Sequence, residues 1–101
     1  MAQGEGTPEQ FRKQIQEAAV HSDRVKLTRH ASERMEERGI VMREVLDVLR
    51  RGTFAEPPAP SLKAPGHLEA RMEGRQGVQV VIGFAPDGDP IVLNVITAMR
   101  G

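Results

Sequence analysis

His30, Arg34 and Arg38 stand four residues apart in the stretch Arg29-His30-Ala31-Ser32-Glu33-Arg34-Met35-Glu36-Glu37-Arg38-Gly39-Ile40, so on a helix they form one row along one face. An imidazole can move a proton near neutral pH, and a guanidinium grips the non-bridging oxygens of a phosphodiester in a fixed fork. Such a row is a kit for handling RNA. A plainer reading competes with it: Glu33, Glu36 and Glu37 lie close enough to pair with the arginines, each pair contributing about 0.3–0.5 kcal/mol. In that reading His30 is only a capping or half-buried histidine.

The elements that must position this row are legible from caps and periodicity. Thr28 can accept a hydrogen bond from an amide in the first turn, and Gly39 tolerates the left-handed conformation that ends a helix. Ala31 and Met35 occupy another side of the same helix, and Ile40 can pack back on its end. A second helix is expected from about Met42 to Arg51, with Met42, Val45, Leu46 and Leu49 inside and Gly52 as its stop. Val41 offers that helix no side-chain acceptor at its start.

Upstream, Thr7-Pro8-Glu9-Gln10 has the composition of a capped helix start, followed by Phe11, Ile15, Ala18 and Ala19 at helical spacing to about His21. Residues 1–6 are expected to be a loose tail. Val25 to Thr28 alternates apolar and polar residues and predicts a short strand.

Downstream, the prolines of Ala55-Glu56-Pro57-Pro58-Ala59-Pro60 lack ladder donors, which predicts a loop over residues 55–66 that acts as a spacer or as a flap over a site. The period then becomes two. Leu68, Ala70 and Met72 share one face, with His67, Glu69 and Arg71 on the other; Val78 to Phe84 is apolar enough for an interior strand, and Ile91 to Thr97 supplies another. Turns fall at Gly74 to Gly77 and Pro86-Asp87-Gly88-Asp89. The expectation is a single α+β domain over residues 7–101: a helix pair on a three- to four-stranded, mainly antiparallel sheet, with an extra N-terminal helix.

Composition narrows the function. A 101-residue chain can bury roughly 60–70% of its unfolded surface around one core without metal or disulfides. Without cysteine there is no disulfide, thiolate zinc site or Cys nucleophile. His21, His30 and His67 show no close ligand spacing, so no metal and no cofactor are expected. No phosphate-cradling glycine loop, HExxH helix, EF-hand loop or nucleophile elbow is present. Three phenylalanines and no other aromatics leave little for a base-stacking platform. The formal net charge is zero, although Arg24 to Arg51 holds eight Lys or Arg against five Glu or Asp. No leader and no apolar run near the ~20 residues of a membrane span is seen, so a cytoplasmic, membrane-free protein is expected.

Leu27 to Ile40, followed by Glu44-Val45, Gly52 and a late Ile96-Thr97, resembles a bacterial family of small proteins of unassigned function marked by His-Ala-x-x-Arg-Met-x-x-Arg-Gly-Ile. The resemblance covers roughly residues 25–100. That family is similar in layout to the RelE-like toxin superfamily, which implies metal-independent endoribonuclease activity, often on ribosome-bound mRNA, under control of an antitoxin protein. The resemblance implies His30 as general base or acid with Arg34 and Arg38 on the phosphate; Arg71, Thr97 and Lys63 are further substrate-binding candidates. The alternative is a non-catalytic binding module of the same fold, whose arginines hold an acidic partner protein.

Overall fold

The computed structural model describes residues 7–101; the tail expected over residues 1–6 lies outside them. The first helix, α1 (Pro8–Ala19), begins as its sequence predicts. The Thr7 hydroxyl accepts from the Gln10 amide at 3.2 Å, and the Gln10 side chain accepts from the Thr7 amide at 3.0 Å. The helix stops at Ala19, two residues before His21. A 3-10 turn (Ser22–Arg24) leads into β1 (Val25–Leu27), then α2 (Arg29–Arg38) and α3 (Met42–Arg51). Gly39, with φ 66°, ends α2 in the left-handed region that glycine enters without a Cβ penalty.

Four strands follow: β2 (Thr53–Pro60), β3 (Leu68–Glu73), β4 (Val78–Phe84) and β5 (Leu93–Arg100). The sheet order is β1-β5-β4-β3-β2. β2, β3, β4 and β5 pair antiparallel in sequence, whereas β1 pairs with β5 in parallel. The sheet is therefore five-stranded and mixed: the expected three to four strands become five, and one parallel edge pair joins three antiparallel ones.

Two causes account for the difference. Residues 53–60 form a strand despite Pro57, Pro58 and Pro60, because β2 lies at the sheet edge and its ladder with β3 is interrupted by register shifts on both sides of Glu56. An edge strand needs donors on one side only, so proline is tolerated there. The loop predicted for residues 55–66 shrinks to residues 61–67. The parallel pairing runs from Val25 opposite Leu93 to Leu27 opposite Val95, and Thr28 then ties the start of α2 to the Val95 carbonyl.

One face of the sheet carries the core. Ala70 and Met72 of β3, Val78, Val80, Ile82 and Phe84 of β4, and Leu93, Val95 and Ala98 of β5 are buried there. Against them pack Ile15, Ala18 and Ala19 of α1, Ala31 and Met35 of α2, and Val45, Val48 and Leu49 of α3. Phe11 meets Phe84 edge to face, with centroids 6.1 Å apart. Leu46, expected inside, is half-buried, and Val48 takes the deeper position. The opposite face, bearing Glu69, Arg71, Gln79, Val81, Thr97 and Met99, has no helix over it. Among the described residues no helix is long and apolar enough to cross a membrane.

Candidate functional site

The helix row exists, but its members are engaged in different ways. Thr28 fixes the beginning of α2: its hydroxyl accepts from the Ala31 amide at 3.0 Å while donating to the Val95 carbonyl at 2.9 Å, with the Ile96 carbonyl at 3.3 Å. The Thr28 amide also donates to the Val95 carbonyl at 3.1 Å. His30 is exposed in the first turn, and its side chain makes no hydrogen bond or ion pair among the described residues. Arg34 is paired with Glu37 along the helix. Arg38 donates to the Ala98 carbonyl at 2.7 Å. Neither the groove on the open sheet face nor the cavity at the start of α3 is lined by His30, Arg34 or Arg38. The row thus presents one unengaged imidazole and two engaged guanidiniums.

The other candidates meet on the uncovered sheet face. Register places Glu56 of β2 opposite Arg71 of β3, Arg71 opposite Val81 of β4, and Val81 opposite Thr97 of β5, one transverse row across four strands. An extra residue in β5, Ile96, separates the Val81–Thr97 pair from the Ile82–Val95 pair, and this bulge turns Thr97 to the open face. At the β2–β3 end of the row a groove of about 360 Å³ is lined by Glu56, Leu62, Lys63, Glu69, Arg71 and Val81.

Electrostatics concentrate on Arg71. Its Nε is buried and has no hydrogen-bond partner; the nearest carboxylate oxygen, on Glu56, is 3.9 Å away, too far for a hydrogen bond. A buried donor left in this state costs about 1–3 kcal/mol. Glu69 is held from the other side, accepting from the Ser61 hydroxyl at 3.0 Å. The Ser61 oxygen also accepts from the amides of Lys63 and Ala64 at 3.3 and 3.2 Å, which anchors the β2–β3 loop at the groove rim.

The structure therefore brings Arg71 and Lys63 to one groove, with Thr97 farther along the same row, and places His30, Arg34 and Arg38 on the helix layer. Glu56 and Glu69 are the groove residues that sequence reasoning did not select. For Glu69 the signal was present, since strict alternation puts it beside Arg71. Glu56 was hidden by the prolines that follow it.

Fold and site together define a small α+β protein with helices on one sheet face and a mixed-charge groove on the other. The chain belongs to a family described as a domain of unknown function (DUF4258), whose model matches residues 27–100. That span begins at the end of β1, so α1 stands before the family's own segment. No curated protein and no solved structure matches the chain.

Proposed function

We propose that this chain is a toxin-type endoribonuclease of RelE-like layout, and that it engages RNA on the uncovered sheet face, away from the α2 row. The observation that carries this reading is the convergence of Arg71 and Lys63 with the carboxylates of Glu56 and Glu69 around one groove on the uncovered sheet face. Cleavage of RNA without a cofactor needs a base for the ribose 2′-OH and a cation for the crowded phosphate. Glu69 supplies the base and Arg71 the phosphate clamp. The 2′-oxygen attacks phosphorus as Glu69 takes its proton. The bond to the 5′-oxygen breaks, that oxygen takes a proton from water, and the products are a 2′,3′-cyclic phosphate and a 5′-hydroxyl end. Lys63 steadies the neighbouring phosphate, and the Thr97 hydroxyl offers a further contact along the row. Antitoxin control is part of the same reading.

The test is cleavage of a labelled RNA in the presence of EDTA by the wild type and three variants. Arg71→Ala and Glu69→Gln are expected to reduce the rate at least a hundredfold, an ordinary loss for a base or phosphate-stabilising group (about 10²–10⁴ for acid–base catalysis), while His30→Ala cleaves at the wild-type rate. Loss of cleavage in His30→Ala alone would return the chemistry to α2.

A second reading has an observation in its favour. Leu62 is fully exposed, at 101% of its reference area, on the rim of a groove whose two cations are matched in number by two carboxylates. That composition suits a protein surface better than a polyanion. Wild-type chain that cleaves no RNA yet binds a partner protein through Leu62 would establish the non-catalytic module.

A further inference from the structure

A cavity of about 370 Å³ lies between the start of α3 and the β3–β4 turn, with Val41, Arg43, Glu44, Asp47, Arg75 and Gln76 among its walls. Its two carboxylates already have partners. Glu44 is paired with Arg100 at 3.2 Å, and Asp47 with Arg51 at 3.6 Å. Arg43 and Arg75 have no ion-pair partner among the described residues. The lining holds two arginines and two carboxylates, but the carboxylates are drawn to Arg100 and Arg51, so the guanidiniums of Arg43 and Arg75 are the charges left without an ion pair at this opening. Beside them Val41 is 53% exposed, and Val48 and Val78 line the inner wall.

We propose that this cavity docks an acidic segment of a partner polypeptide, with its carboxylates on Arg43 and Arg75 and an adjacent aliphatic side chain on Val41. Charge complementarity selects the occupant's sign, and the apolar wall selects its kind. A polynucleotide backbone would meet the same two arginines but leave Val41 uncovered. The inference rests on the reading that the chain works with a protein partner, and it separates that partner from the groove. The β3–β4 turn lies at the end of β3 opposite the Ser61–Gly66 loop, so both surfaces can be occupied together.

The test uses the full chain and a fluorescent peptide of alternating glutamate and leucine at low salt. Saturable binding is expected, weakened about tenfold or more by Arg43→Glu or Arg75→Glu, with smaller losses in the corresponding glutamine variants. Arg29→Glu, at a side chain 94% exposed on α2, is expected to bind as the wild type does, and so is Arg71→Ala. Circular dichroism and thermal midpoints confirm that each variant folds. Three results would overturn the proposal: no binding by the wild type, an equal loss in Arg29→Glu, or full displacement of the peptide by inorganic phosphate. Failure here with RNA cleavage intact removes the docking site alone, whereas peptide binding without cleavage removes the nuclease reading alone.

Discussion

The Arg38 guanidinium donates to the Ala98 carbonyl at 2.7 Å, at a point where β5 has no strand neighbour on that side because β1 ends at Leu27, opposite Val95. A side chain sixty residues upstream thus satisfies a backbone acceptor that would otherwise sit on an unfinished sheet edge. Arg38→Ala is expected to lower unfolding free energy by about 1–2 kcal/mol, the usual size for a hydrogen bond to a charged group with some solvent access. Urea denaturation measures it. An unchanged midpoint would show that water replaces the guanidinium at no cost.

Thr28 joins helix and strand through one hydroxyl. Thr28→Ala removes the α2 cap and leaves the Val95 carbonyl with only the Thr28 amide, which predicts a loss of about 1–2 kcal/mol. Thr28→Ser keeps the oxygen and is expected to retain most of the stability. Equal losses in the two variants would mean that the methyl group's packing, not the hydroxyl, holds the junction.

Gly52 ends α3 with an ordinary negative φ of −78°, so its need for glycine comes from contact and not from backbone conformation. A Cβ there would stand 2.5 Å from the carbonyl oxygens of Glu73 and Val48, both backbone atoms with little room to retreat. Gly52→Ala is expected to cost about 1–3 kcal/mol by forcing α3 away from the end of β3. Thermal melts of the two proteins decide it.

Glu44 links stability to pH. Its carboxylate accepts from the Val41 amide at 3.1 Å and from the Arg100 guanidinium at 3.2 Å, and these contacts, the backbone bond first, hold its pKa below the ordinary 4.5. A lowered carboxyl pKa means that the unfolded chain binds the proton more readily. The contribution of Glu44 is therefore complete above the ordinary glutamate range and disappears as pH falls through the lowered folded value. Glu44→Gln is expected to flatten this part of the acid limb in a stability–pH series. An unchanged acid limb would place the dependence on other carboxylates.

What the sequence made legible was local. Thr7, Thr28, Gly39 and Gly52 mark helix ends through bonds that span a few residues, and all four ends fall where those residues predict. The parallel partnership of β1 with β5 was not legible, because it joins residues 67 or more positions apart and has no spacing signature. The proline-rich segment misled for a related reason: a missing donor says that one side of a strand is blocked, not that the strand is absent. Candidate chemistry divided along the same line. Helical spacing put His30, Arg34 and Arg38 on one face, but the Ala98 carbonyl that engages Arg38 cannot be read from that spacing. The row from Glu56 to Thr97 is a product of strand register, to which the period-two pattern of Glu69 and Arg71 was the only clue.

The three prolines of β2 carry a final consequence. With no amide hydrogens at Pro57, Pro58 and Pro60, the outer rim of β2 is a poor template for a strand from another molecule, so the sheet resists polymerisation on that flank. The opposite flank ends in the three-residue β1, interrupted by the exposed Lys26, and is too short to seed a fibril. Both margins of a sheet with one bare face are thereby closed to runaway growth, which leaves that face available at high local concentrations of the chain.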